Sequence, residues 1–163
     1  MLKLLLILSK SVLYNLYKRA ESKPSALNES RYLKMVNLTK QQVVTDKAPA
    51  PAGPYSQAII AGDFVFVAGQ RPQDPVTGEI PADIKGQTRQ CIENIKFVLE
   101  EAGSSLDKLV RSNVYLSDIK YFDEMNEVYR QLIPTPYPAR ATVGTQLRNI
   151  LVEIEVIALR GQK

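Results

Sequence analysis

Apolar and polar positions change period several times along the chain, and each change marks an element. Ser56–Ala61 and Asp63–Ala68 are short, apolar, β-prone runs, and the Gly62-Asp63 pair joins them as a hairpin. Asp74-Pro75-Val76-Thr77-Gly78 is turn chemistry, since proline presets φ and glycine tolerates a positive one. Beyond it the period lengthens to that of a helix. Ile84, Cys91, Ile92, Ile95, Val98, Leu99 and Ala102 share one stripe, with Asp83 placed to cap its start and Gly103 to end it. Leu109–Leu116 returns to strand character. A second helix follows, with Phe122, Met125, Tyr129 and Leu132 on its apolar face, and Pro134 and Pro136 stop it. Ala141–Gly144 and the β-branched run Leu151–Leu159 close the series as strands. The order β-β-α-β-α-β-β predicts an α+β domain: a single-layer mixed β-sheet with two α-helices on one face.

The amino-terminal stretch follows a different pattern. Met1–Ala20 has no acidic residue and several basic ones, and its longest apolar run, Leu4–Leu8, is far too short to span a bilayer. A basic, acid-free, amphipathic segment predicts a targeting presequence over residues 1–34, directed to the mitochondrion, ahead of a domain at 36–163. Translation from Met35 would instead leave a cytoplasmic protein without it. No membrane partner is expected.

Charge then sharpens the picture. The formal net charge of +4 suggests nucleic acid, but residues 1–34 hold seven basic side chains against two acids. The remainder, with fourteen basic and fifteen acidic residues, offers no bulk electrostatic attraction to phosphate. Cys91 is the single cysteine, which excludes an internal disulfide framework. Histidine is absent altogether, and with it serine–histidine and cysteine–histidine catalysis and His-ligated zinc. An acid or base must be Asp, Glu, Lys, Tyr or a water they orient.

Arg140, in Pro138-Ala139-Arg140, starts a strand after a proline-rich loop. Its guanidinium can grip a carboxylate at two points, or it can form an ordinary surface ion pair. In Val152-Glu153-Ile154-Glu155-Val156 the alternation sends both glutamates to one face, either to solvent or to orient a water at an interface. Tyr55 can offer a phenol to a ligand or plug a loop. Asn126 is a poor helix former held for a hydrogen bond or solvated. Gly69 ends a strand where a ligand can approach the backbone. Cys91 lies on the apolar stripe and reads as core.

Taken in order, these segments resemble a known family. Gly53-Pro54-Tyr55-Ser56-Gln57-Ala58, Ala68-Gly69-Gln70, Asp74-Pro75-Val76-Thr77-Gly78-Glu79, Gln87-Thr88-Arg89-Gln90, Asn126-Glu127-Val128-Tyr129, Pro138-Ala139-Arg140 and Val152-Glu153-Ile154-Glu155 look like successive blocks of the Rid (reactive intermediate deaminase) family. The resemblance implies a chorismate-mutase-like homotrimer with clefts between subunits. It implies hydrolysis of enamines and imines such as 2-aminoacrylate and 2-iminobutyrate to 2-keto acids and ammonia, with no metal or cofactor. Arg140 would bind the substrate carboxylate with the backbone around Thr142, Glu153 would position the water, and Tyr55, Gly69 and Asn126 would line the cleft. Thr142 stands where several relatives have cysteine. The loop 144–150 lacks the usual Leu-Pro turn and looks about two residues short, an even change that keeps Glu153 on its face. RNA cleavage or translation inhibition, and a non-catalytic ligand-binding module, are the other functions this scaffold allows.

Overall fold

The structure is a computed structural model that describes Asn15 and residues 39–161, so the presequence reading falls outside the described residues apart from Asn15. The chain divides into two compact units, Met1–Leu38 and Thr39–Lys163. The second contains strands β1 (Lys40–Val43), β2 (Ala58–Ala61) and β3 (Phe64–Gln70), helix α1 (Ile84–Glu101), β4 (Leu109–Leu116), helix α2 (Phe122–Leu132), β5 (Ala139–Gly144) and β6 (Val152–Leu159). The six strands form one sheet in the order β1-β2-β3-β6-β4-β5. All neighbours are antiparallel except β4 and β5, which run parallel with α2 in the crossover between them. This is the mixed sheet with two helices read from the sequence.

One strand was not foreseen. The order begins β-β-β, because Lys40–Val43 pairs with β2 as an edge strand. Three of its four residues are exposed, so Lys-Gln-Gln-Val carries no apolar alternation to mark it. Backbone pairing alone makes it a strand.

The core lies between the sheet and α1. Val65 and Val67 of β3, Val114 and Leu116 of β4, and Val152, Ile154 and Val156 of β6 are buried, as are Ile92, Ile95, Val98 and Leu99 of α1. Each contributes about 1.5–3 kcal/mol over an exposed position. Helix α1 starts where Gly86 N donates to Asp83 Oδ1 (2.9 Å) and stops where Gly103 takes φ +73°. Asp83→Ala should therefore lower unfolding free energy by about 1 kcal/mol, read from urea midpoints at fixed protein concentration; no change would mean that solvent caps the helix equally well.

Helix α2 departs from its expected face. Met125, Val128 and Tyr129 are buried, whereas Phe122 is 37% exposed and lies at the helix start, outside the core. The face of the sheet away from the helices is apolar in places: Phe64, Phe66, Val143 and Leu159 are each 41–48% exposed. The two phenylalanine rings lie 6.4 Å apart.

Candidate active site

Arg140 is placed by the β4–β5 register. It pairs with Ser112, and Thr142 pairs with Val114; both β4 residues are fully buried on the helix side, so Arg140 and Thr142 face that side too. Because β5 is an edge strand, the Arg140 side chain emerges at the margin of the sheet. There its Cζ sits 4.7 Å from the Tyr129 ring centroid and 5.8 Å from that of Phe122. A guanidinium at these distances from two rings is attracted by their π faces, and it makes no hydrogen bond among the described residues. Arg140 makes no ion pair among the described residues, so the surface-pair alternative is not realised within the chain.

Asn126 completes this half. Residues 122, 126 and 129 follow helical spacing, which sets the half-buried Asn126 between the two rings. Thr142 Oγ1, Ser112 Oγ and Tyr129 Oη are buried without hydrogen-bond partners among the described residues. Burial pushes the Tyr129 phenol above its usual range, against the pull of the Ser112 hydroxyl and the Arg140 guanidinium. Ser112 influences the phenol without the alignment of a formed hydrogen bond.

On the opposite face the two glutamates separate in role. Glu155 Oε1 accepts from Asn113 Nδ2 (2.7 Å) and Tyr115 Oη (3.0 Å), so it is bound to β4. Glu153 accepts no such bond among the described residues and is half-buried. Burial raises its carboxyl above the ordinary range; Arg71 draws it back and the nearby Glu155 adds to the rise. A carboxylate that is partly dry, unpaired and of raised pKa suits a general base. Glu155 does not.

A bulge shapes the space around Glu153. Between Val67 and Gln70 the β3–β6 register shifts, so β3 spans three steps where β6 spans two. Alternation reverses there: Gln70 turns into the core and Gly69 lies against Glu153. A Cβ on Gly69 would collide with Glu153 Oε1 and come within 3.0 Å of its Cδ. Its φ lies outside the left-handed region, so the glycine serves the close approach and not the backbone conformation. Gly69→Ala should lower kcat roughly tenfold to a hundredfold by displacing the carboxylate. The melting temperature should move little; an unchanged kcat would remove Glu153 from the chemistry. Tyr55 and Gly69 share a cavity of about 30 Å³, and Tyr55 Oη accepts from Ala52 N (3.0 Å).

The expected residues thus form two groups. Arg140, Asn126 and Thr142 lie together on the helix side, and Glu153, Gly69 and Tyr55 lie together across the sheet. One chain by itself does not bring the arginine to the glutamate. The aromatic partners of Arg140 were missed because Phe122 and Tyr129 fit a core stripe equally well; their spacing around Asn126 was the available signal. Arg71, beside Glu153, carried no sequence signal. Glu153 lies on its predicted face, and the loop before it is held by Gln87 Oε1, which accepts from Leu151 N (2.7 Å). Cys91 is fully buried with its thiol toward Gln70 O (3.2 Å), and burial pushes that thiol well up, as expected of a core residue. Among the described residues no three His, Cys, Asp or Glu side chains gather as a metal site.

Residues 45–160 match the family model described as endoribonuclease L-PSP. A RutC family protein of Pyrococcus abyssi is 51% identical over 126 residues, covering 76% of this chain and 99% of that protein. TdcF of Escherichia coli K12, named as a candidate reactive intermediate deaminase, is 38% identical over 127 residues, covering 75% of this chain and 98% of its own length. A crystal structure of E. coli TdcF with bound serine superposes with a TM-score of 0.71 at 37% identity, covering 74% of this chain and 99% of the other. RidA of an Antarctic Psychrobacter superposes with a TM-score of 0.71 at 44% identity, covering 73% and 98%. With the family model spanning most of its length and full-length relatives well above 30% identity, this chain belongs to the Rid family, the group also named RutC and L-PSP.

Proposed function

We propose that this protein hydrolyses reactive 2-imino acids, including the tautomers of 2-aminoacrylate and 2-iminobutyrate, to 2-keto acids and ammonia. The observation that carries the reading is Arg140: a guanidinium beside two rings, with no ion pair among the described residues and donors that suit a small carboxylate. Glu153 supports it as the unpaired carboxylate of raised pKa. Water adds to the imine carbon as Glu153 accepts one of its protons, and that proton passes to the nitrogen to give a carbinolamine; the hydroxyl then gives up its proton, which reaches the amine as the C–N bond breaks and the C=O bond forms, releasing the 2-keto acid and ammonia. Positioning is the main contribution, since carboxylate and water are held on either side of one C=N bond. The serine carried by TdcF, a small acid with an amine on the same carbon, fits such a site in size and charge.

Because the two groups lie on opposite faces, the reading requires a second copy, and we take the assembly to be a homotrimer. The exposed Phe64, Phe66, Val143 and Leu159 give the uncovered sheet face a reason to associate. The acid-free basic segment at residues 1–20 supports delivery to the mitochondrion.

The test couples purified protein to a threonine dehydratase in amine-free buffer, follows 2-oxobutanoate release, and records native mass. Faster release than with dehydratase alone, from a particle of three chains, is expected. Release at the uncatalysed rate would end the proposal.

A further inference from the structure

The cavity lined by Gly69, the residue against which Glu153 packs, has among its lining residues a cation that the proposed reaction does not employ. Arg71 follows the β3 bulge, and its backbone is anchored: the fully buried Asn94 donates from Nδ2 to Arg71 O (2.9 Å) and Gln73 O (3.0 Å). Most other polar groups on the cavity wall are occupied. Gln57, Gln70 and Gln73 give their amide nitrogens to backbone carbonyls. Tyr55 accepts from Ala52 N and keeps its own proton to donate.

The Arg71 guanidinium is half-buried and, among the described residues, has neither a hydrogen bond nor an ion pair. Glu153 is near enough to feel its charge but not near enough to pair with it. The cavity, about 30 Å³, is roughly twice what one water needs, the size of a carboxylate's two oxygens. A planar fork with no donor engaged among the described residues, lining one cavity with Tyr55, makes an anion subsite.

We propose, resting on the deaminase reading, that the preferred substrates are 2-imino acids with a second carboxylate on the side chain. Arg71 receives that carboxylate, and Arg140 of a neighbouring copy holds the one adjoining the C=N bond. An apolar side chain in the same place would strip water from Arg71 and return nothing, so the subsite selects in both directions.

The kinetic test generates iminosuccinate and 2-iminopropanoate in situ with amino-acid oxidases and compares kcat/KM on the full chain. Wild type should favour iminosuccinate at least tenfold. Arg71→Met should erase that preference, chiefly through KM, while Arg71→Lys restores part of it. A preference for 2-iminopropanoate in wild type, or a ratio untouched by Arg71→Met, overturns the inference. So does an equal shift of the acidic pH limb for both substrates at constant ratio, which would make Arg71 only a regulator of Glu153. Calorimetry supplies a readout free of turnover. Succinate should bind at least tenfold tighter than butanoate to wild type and no tighter to Arg71→Met. Such binding without hydrolysis of any imine would keep the subsite and discard the deaminase reading; equal binding of the two acids with hydrolysis of 2-iminopropanoate would do the reverse.

Discussion

Replacing Arg140 with alanine should reduce kcat/KM for 2-iminobutyrate hydrolysis by roughly 100- to 1000-fold. On the proposed reading the fork would make two charge-assisted hydrogen bonds to one carboxylate, together worth about 3–4 kcal/mol, and each 1.36 kcal/mol is a factor of ten. Stability should hardly change, because the side chain stands at the exposed margin of an edge strand and touches chiefly the faces of Tyr129 and Phe122. Arg140→Lys should recover only a small part, since an ammonium keeps the charge but loses the two-point geometry. Tyr129→Leu, which removes the nearer ring, should raise KM with the arginine still present. Steady-state kinetics beside thermal melts decide this. An Arg140→Ala enzyme within threefold of wild type would show that substrate is held elsewhere.

Glu153→Gln should lower kcat by roughly 100- to 10,000-fold while leaving KM nearly unchanged, the range expected when a positioned base is lost. The amide keeps the shape packed against Gly69 and discards only the proton acceptor. The pH profile carries a second signature. Burial holds the Glu153 carboxyl above the ordinary range, so the wild-type rate should rise with pH through a limb above that of a free carboxylate. Stability should move in the opposite sense. A group that binds its proton more tightly when folded stabilises most below its unfolded pKa, and that contribution disappears as pH rises through the folded one. Activity is therefore gained over the window in which a little stability is lost, and Glu153→Gln should flatten both trends. An acidic limb that survives the substitution would assign it to another group.

Several site features were open to sequence reading because they depend on short-range rules. Strand alternation put Glu153 and Glu155 on one face, and the β4–β6 register keeps them there. It could not choose between them. That choice came from β4, where Asn113 and Tyr115, some forty residues away in sequence, engage Glu155 but not Glu153. Phe122 shows the same limit from the other side. Helical spacing places it on a stripe with Met125 and Tyr129, but the stripe continues past the edge of the core, and only the packed sheet shows that Phe122 lies beneath Arg140 instead.

By itself the amino-acid sequence determined the sheet's apolar strands, both helices with the caps of the first, the shared face of Glu153 and Glu155, and the family. Those properties rest on periodicity, capping chemistry and turn residues, which act over a few positions. Tertiary structure alone decided the polar edge strand at Lys40–Val43, the bulge that sets Gly69 against Glu153, the rings under Arg140, and the place of Arg71 on the cavity wall. Each depends on backbone or side-chain groups brought together from distant parts of the chain. Such contacts have no period for the local pattern to reveal.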